Sequence, residues 1–134
     1  RTRSDLAVIN THLDPFSSRS RIRGAEAVRR EVRRTGLPTV VMGDLNAGAG
    51  SPALAALQRS DLLLDAWAVA AERVTPPYGT YAGYRPPVRF GARIDWILVT
   101  TDIAVERIGI DARLEDGVAP SDHLAVHAAI EVPQ

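Results

Sequence analysis

The chain has 134 residues, of which 46% are hydrophobic and 24% are charged, close to the average of soluble globular domains and enough for one domain with its own core. Its 16 basic and 16 acidic residues give a formal net charge of +0, which argues against a protein whose main activity is sequence-independent binding of nucleic acid or acidic membranes. It has no cysteine, which excludes disulfides, thiolate zinc sites and cysteine nucleophiles.

The amino-terminal segment is unlike the start of a complete protein. It has no initiator methionine and reaches a strand-like run almost at once, so we expect the chain to be part of a longer protein. No stretch has the apolar core of a signal peptide or the roughly 18 apolar residues of a membrane span. We expect no membrane contact from this chain. Any signal or anchor would precede Arg1, so cytoplasmic and exported locations both stay open.

The first half of the chain has the pattern of alternating strands and helices. Short apolar runs indicate buried strands, and apolar residues at intervals of three or four indicate an amphipathic helix that ends at Gly36. Ser51 followed by Pro52 is typical of the start of a second, short helix. The predicted elements are strands over 5–13 and 38–42 and helices over 17–34 and 53–59.

Strands dominate the second half. Residues 61–71 fit either a loop or a helix, and the segment 74–91, rich in proline, glycine and aromatic residues, is predicted to be a long surface loop. Three further strands are predicted over 93–100, 103–114 and 123–132. The whole pattern is typical of an α/β fold with a mixed sheet.

Polar residues follow the predicted strands at the points where these strands end. Groups at strand ends of α/β sheets converge on one crevice, so we expect these residues to lie together. They offer carboxylate oxygens and imidazole nitrogens, which suit a magnesium-type ion and proton transfer near neutral pH. Phosphate-ester hydrolysis needs such groups. The residues are His12, Asp44, Asn46, Asp95, Asp122 and His123.

Each of these residues also has a purely structural interpretation. An aspartate at a strand end is most often a turn residue or a helix cap. Asp95 lies between apolar strand residues and needs a partner if buried, for which Arg93 is the nearest candidate. His12 and the sequence Ser121-Asp122-His123 could be ordinary loop residues. The arginines of the first predicted helix form either a solvated face or a nucleic-acid contact.

Four segments together resemble the successive motifs of the endonuclease/exonuclease/phosphatase superfamily, the deoxyribonuclease-like metal-dependent hydrolases, in order and in approximate spacing. A further element, Gly79-Thr80-Tyr81, resembles the Gly-Thr-Phe element of a bacterial branch, although the usual His-Gly-Phe continuation is Ala82-Gly83-Tyr84 here. The four segments are Asn10-Thr11-His12-Leu13, Gly43-Asp44-Leu45-Asn46-Ala47, Arg93-Ile94-Asp95-Trp96-Ile97-Leu98-Val99 and Ser121-Asp122-His123-Leu124-Ala125-Val126.

The resemblance implies a role for each catalytic residue. Asp44 and His123 would act as a pair that activates the attacking water, and which of them takes the proton stays open. Asp95 would bond the far nitrogen of His123 and fix its orientation. Asn46 would hold the phosphate, and His12 would lie near the leaving group or a phosphate oxygen.

The resemblance also implies metal and substrate contacts. Asp122 and Asp44 would bind Mg²⁺, with Mn²⁺ as the alternative ion. The substrate would be a phosphate ester, with nucleic acid as one candidate. By residue type alone, and not from the resemblance, Tyr81 and Arg93 are predicted to contact this substrate, unless they only pack within the domain.

The resemblance covers only the C-terminal portion of the family domain. Members begin with a strand that carries an asparagine and a second strand with a Gln-Glu pair, whose glutamate is the principal magnesium ligand, and residues 1–134 contain neither. The implied fold is α/β (α+β), about half of the four-layer sandwich: a mixed sheet of about five or six strands with helices on one face. Its apolar inner face would be exposed, and its missing partner would be the N-terminal half of the same domain.

Two functions follow from the sequence. The first is a Mg²⁺-dependent phosphoesterase that hydrolyses phosphodiesters or phosphomonoesters by in-line attack of water, of which this chain is a truncated and weakly active part. The second is a non-catalytic half-domain that acts as a binding or interaction module. The six polar residues favour the first, because a remnant has no reason to keep them together. A nucleic-acid-binding module built on the first helix is disfavoured by the neutral charge.

Overall fold

The computed structural model describes residues 5–133, and this range contains seven strands and three α-helices, which alternate up to residue 69 and are followed by strands alone. This arrangement confirms the predicted α/β (α+β) class. The strands are β1 Ala7–Asn10, β2 Thr39–Asp44, β3 Leu64–Asp65, β4 Glu72–Arg73, β5 Asp95–Val99, β6 Ala104–Asp111 and β7 Ala125–Glu131. The helices are α1 Ser18–Thr35, α2 Pro52–Gln58 and α3 Ala66–Val69, and a 3-10 turn spans Arg59–Asp61.

Helices α1 and α2 begin and end at residues that the sequence identifies. The Ser17 hydroxyl accepts a hydrogen bond from the Ser20 amide, and Gly36 ends α1 with a φ of 61°. The Ser51 hydroxyl caps α2 by accepting from the Leu54 amide, with proline in the first turn. Both predicted helices are therefore confirmed to within a residue at each end.

The strands lie in two hydrogen-bonded sheets, whereas the sequence predicted one mixed sheet of about five or six strands. The first sheet has the order β1-β2-β5-β3, with β1 parallel to β2 and β2 antiparallel to β5. The second sheet has the order β4-β6-β7. Both sheets are mixed, since β4 is parallel to β6 while β6 and β7 are antiparallel. The prediction was therefore wrong about the number of sheets but right about their mixed character.

Most of both faces of the first sheet is covered, which explains why its central strands β2 and β5 are largely apolar. On the outer face, Trp96 and Leu98 pack with α1 and α2 in one hydrophobic cluster. On the inner face, Ile97 and Val99 pack against Ile108 and other residues of the second sheet. The layers are thus helices, first sheet and second sheet, and the core lies on both sides of β2 and β5.

Part of the inner face of the first sheet is not covered. Val8 and Met42 point to this face, yet they are 53% and 37% exposed. Val8 lies in β1, an edge strand of the first sheet, and Met42 lies in the neighbouring β2, while β7 is an edge strand of the second sheet. The sequence predicted an exposed apolar inner face, and the structure confirms it for this part of the sheet. Among the helices of residues 5–133, none has the length and hydrophobicity that a membrane crossing requires.

Candidate active site

The pairing of β2 with β5 brings two carboxylates together. Asp44 is the last residue of β2 and Asp95 is the first residue of β5, and the two are direct partners in the antiparallel register. Side chains of directly opposed residues lie on the same face of a sheet. Both carboxylates therefore project from the inner face, at the end of the strand pair.

His123 lies between these two carboxylates. Its Nδ1–H donates a hydrogen bond to Asp95 Oδ2 over 2.8 Å, and its Nε2 is 3.9 Å from Asp44 Oδ2. Asp95 is thus paired with His123 and not with Arg93, the structural alternative that the sequence left open. The bond to Nδ1 fixes the ring, so that Nε2 faces Asp44.

The pKa of His123 reflects two opposing effects. Burial lowers it, but the hydrogen bond to Asp95 and the negative charges of Asp95, Asp44 and Asp122 raise it by more, so the pKa lies above its ordinary value. The imidazolium consequently persists to higher pH than in the unfolded chain. Its contribution to stability is complete below the pKa of the unfolded chain and is lost as the pH rises through the higher pKa of the folded chain.

We expect the substitution Asp95→Asn to lower the pKa of His123, because the amide keeps the shape of the carboxylate but removes its charge. The measurement is an NMR titration of the imidazole ring. Asp102→Asn is the matched control, since it removes the same charge from an exposed position next to β5. An unchanged His123 pKa in Asp95→Asn, or an equal drop in the control, would contradict the assignment.

His12 and Asn46 also lie next to the Asp44 carboxylate. His12 Nε2 lies 3.5 Å from Asp44 Oδ2, and its side chain is largely exposed. The backbone amide of Asn46 donates to Asp44 Oδ1 over 2.8 Å, and its side-chain amide donates to the Leu13 carbonyl over 2.9 Å. The structure therefore brings all five predicted catalytic residues together, namely His12, Asp44, Asn46, Asp95 and His123.

The same group could hold a metal ion. Asp44, Asp95 and His123 each offer one donor atom, and these atoms all lie within 4.8 Å of one another. Carboxylate oxygens suit Mg²⁺ or Mn²⁺, and a single imidazole is compatible with Mn²⁺. Of the two metal ligands predicted from sequence, Asp44 belongs to this group of the described residues and Asp122 does not. The backbone carbonyl of Asp122 instead accepts hydrogen bonds from Ala82 and Gly83.

The two predicted substrate-binding residues have different surroundings. The Tyr81 ring lies 5.1 Å from the His123 ring, and the side chain is exposed beside the site. The Arg93 guanidinium instead donates to both carboxylate oxygens of Asp65 and stacks 4.1 Å over the Trp96 ring. The structure brings Tyr81 to the site, whereas the charge of Arg93 is already paired within the fold.

Two residues of the site were missed in the sequence. Asn10, at the end of β1, lines a cleft of about 350 Å³ together with Gly43, Asp95 and His123. Its position at a strand end was a usable signal, because the same signal identified Asp44. Thr80 is fully buried beneath Asp95, and its hydroxyl accepts a hydrogen bond from the Asp95 amide. Thr80 belongs to the Gly79-Thr80-Tyr81 element identified in the sequence, but nothing in that element indicated that its hydroxyl would bond the backbone of Asp95.

Comparisons with known proteins agree with this geometry. Residues 7–123 match the sequence model of the Endonuclease/Exonuclease/phosphatase family. No curated protein sequence matches the chain. Among solved structures, a functionally unknown conserved protein from Enterococcus faecalis is 28% identical with a TM-score of 0.82, over 94% of this chain and 50% of its own.

Two Bacteroides structures are similarly close in fold. An endonuclease/exonuclease/phosphatase from Bacteroides vulgatus is 26% identical with a TM-score of 0.87, over 98% of this chain and 51% of its own. A mannosyl-6-phosphatase from Bacteroides thetaiotaomicron is 23% identical with a TM-score of 0.87, over 97% of this chain and 52% of its own. The chain thus spans about half the length of the solved structures that it matches.

Proposed function

The chain belongs to the endonuclease/exonuclease/phosphatase family, and from this we propose that it supplies the catalytic residues of a phosphoric ester hydrolase that uses a divalent metal ion. One observation carries the proposal: the imidazole of His123 is held by Asp95 on one side and faces Asp44 on the other. An ordinary turn or cap would not place a histidine between two carboxylates of opposed strands.

The proposed reaction is in-line attack of water on the phosphorus atom. The bond from the water oxygen to phosphorus forms as the bond from phosphorus to the leaving oxygen breaks, and the water proton passes to the pair of Asp44 and His123. Asp95 keeps the His123 ring oriented throughout, because its carboxylate holds the Nδ1–H. A protonated His123 would also place positive charge near the phosphoryl oxygens.

Asn46 and His12 complete the proposed set. One N–H of the Asn46 amide is tied to the Leu13 carbonyl, which orients the group so that its second N–H would donate to a phosphate oxygen. His12 is exposed and lies next to Asp44, where its imidazole would donate a proton to the leaving oxygen. The substrate is a phosphodiester or a phosphomonoester, with nucleic acid as one candidate.

A divalent cation fits the donor atoms of this site. Asp44, a member of the group of close donor atoms, would hold it. Asp95 is already engaged by His123, so the second ligand is proposed to be Asp122, bound directly or through water although it lies outside that group. Mg²⁺ is the proposed ion and Mn²⁺ the alternative. When bound, the cation would neutralise negative charge on the phosphoryl oxygens.

The metal site can be tested on this chain without an activity assay. Mn²⁺ is paramagnetic, so we expect it to broaden the NMR signals of Asp44, Asn46 and His123 before those of other residues. Asp44→Asn should raise the Mn²⁺ concentration required by at least about tenfold, the effect of losing one carboxylate ligand. Asp111→Asn, which removes a carboxylate of the second sheet, is the control. If the broadening began at other residues, or if Asp44→Asn did not change the Mn²⁺ concentration required, the proposed metal site would be excluded.

We also propose that this chain is the C-terminal portion of the family domain and that the remaining portion covers the inner face beside β1. Support comes from the half-length match to related structures and from the exposure of Val8 and Met42 on that face. The coding sequence upstream of Arg1 is then expected to encode, in frame, a strand with an asparagine and another with a Gln-Glu pair. An in-frame stop codon at that point would contradict this proposal.

A further inference from the structure

Thr80 is a buried residue that forms hydrogen bonds with both of the segments that carry Asp95 and His123. Its side chain is fully buried, although it lies in the long loop between β4 and β5. The hydroxyl oxygen accepts hydrogen bonds from the backbone amides of Ile94 and Asp95, over 2.9 and 3.0 Å. Both amides therefore have a hydrogen-bond acceptor at the start of β5.

The backbone of Thr80 reaches the second segment. Its carbonyl accepts a short hydrogen bond of 2.7 Å from the amide of Leu124, the residue after His123. The next residue, Tyr81, forms an antiparallel bridge with His123, and its ring contacts the imidazole. A single loop residue therefore fixes the backbone on both sides of the hydrogen bond between His123 and Asp95.

We propose that Thr80 is a positioning residue for the Asp95–His123 pair, and through it for the hydrolysis proposed above. The hydroxyl sets the position of the Asp95 backbone, and the carbonyl sets the position of the segment that holds the imidazole. Neither group reaches a substrate, so the effect of Thr80 is exerted through the other two residues. The catalytic importance of Thr80 rests on the proposed function. Its effect on the positions of Asp95 and His123 can be tested without an activity assay.

The test compares Thr80→Val with Thr75→Val. Valine keeps the shape of threonine but removes the acceptor oxygen. Thr75 is the matched control, because its hydroxyl accepts from the Ile110 amide over 2.8 Å in the second sheet, by the same kind of bond. Thr80→Val leaves two backbone amides without their acceptor and Thr75→Val leaves one, so both should lower the melting temperature.

Only Thr80→Val should change the imidazole of His123. We expect the Nδ1–H proton of His123 to exchange with solvent at least about tenfold faster in Thr80→Val, equivalent to the loss of one hydrogen bond. The rate should stay at the wild-type value in Thr75→Val and in Thr80→Ser, which keeps the hydroxyl. Equal rates in Thr80→Val and wild type, or an equal rise in Thr75→Val, would overturn the proposal.

Two further measurements keep the test decisive if Thr80→Val does not fold. Thr80→Cys replaces the oxygen by a sulfur, a weak acceptor, and should give an intermediate exchange rate. In the wild type, the amides of Ile94 and Asp95 should be protected, and exchange as fast as that of the exposed Tyr84 and Val88 would overturn the proposal. The proton exchange of His123 needs no metal ion, so absence of Mn²⁺ binding would contradict the proposed function and leave this result intact.

Discussion

Replacing Gly43 with alanine is expected to lower the free energy of unfolding by roughly 2–6 kcal/mol, the sum of backbone strain and steric overlap. Gly43 has a φ of 137°, which side chains other than hydrogen rarely permit, and an added Cβ would lie 1.9 Å from the Thr11 carbonyl oxygen. The backbone of Thr11 would have to move away from β2. Since His12 follows Thr11 directly, this movement would also withdraw His12 from Asp44.

Gly48→Ala is the matched control, because nothing lies within 4 Å of the position that its Cβ would occupy. Its effect should stay within about 0.5 kcal/mol, as for most surface substitutions. Denaturant unfolding of both variants measures the difference. If Gly43→Ala lost less than about 1 kcal/mol, the backbone at Thr11 would be able to move away from β2 at little cost in free energy.

The second large effect is on catalysis. We expect His123→Ala to lower kcat for hydrolysis of a chromogenic phosphodiester by roughly 10²–10⁴-fold, the range for loss of a group that transfers protons. The assay uses the protein that the whole gene encodes, with Mg²⁺, because the 134-residue chain alone is expected to show only residual turnover. Binding of the substrate should change much less than kcat, since the proton transfer proposed for His123 takes place in the transition state.

His127→Ala is the control for this experiment. His127 is exposed in β7, four residues after His123, and lies against Gly109 in the second sheet. Its removal should leave kcat unchanged. If His123→Ala kept more than about a tenth of the wild-type kcat, His123 would not be part of the proton-transfer pair.

The helices could be predicted from sequence because their determinants are local. Ser17, Gly36 and Ser51 fix where α1 and α2 begin and end, and each acts on amides or carbonyls a few residues away. The two-residue strands β3 and β4 are too short to show the alternation of apolar and polar residues by which a strand is recognised in sequence. Their existence depends on the strands beside them and not on their own composition.

The division into two sheets could not be predicted, and β5 shows why. Trp96 faces the helices and Ile97 faces the second sheet, so apolar residues occur on both sides of the strand. Such a run indicates burial on two faces, but it does not identify the layer that covers each face. The same run is equally compatible with one sheet between helices.

Most of the site could be predicted because side chains at strand ends converge on one crevice. The partner of Arg93 could not be predicted. Arg93 pairs with Asp65, 28 residues earlier, in a segment whose sequence fits either a loop or a helix. No local pattern links the two residues. Arg93, the first residue of the third motif, is therefore predicted from sequence to contact the substrate, whereas in the structure its charge is paired with Asp65.

The register of β2 against β5 also limits how the chain can vary in length. One residue inserted into either strand would turn Asp44 or Asp95 toward the helices, because successive side chains alternate between faces. The stretch 84–87 precedes the bridge between Tyr78 and Arg89, carries no such restriction and lies a few residues from Tyr81. Among homologues, insertions and deletions are therefore expected in this stretch, which could evolve new substrate preferences while the two carboxylates stay in place.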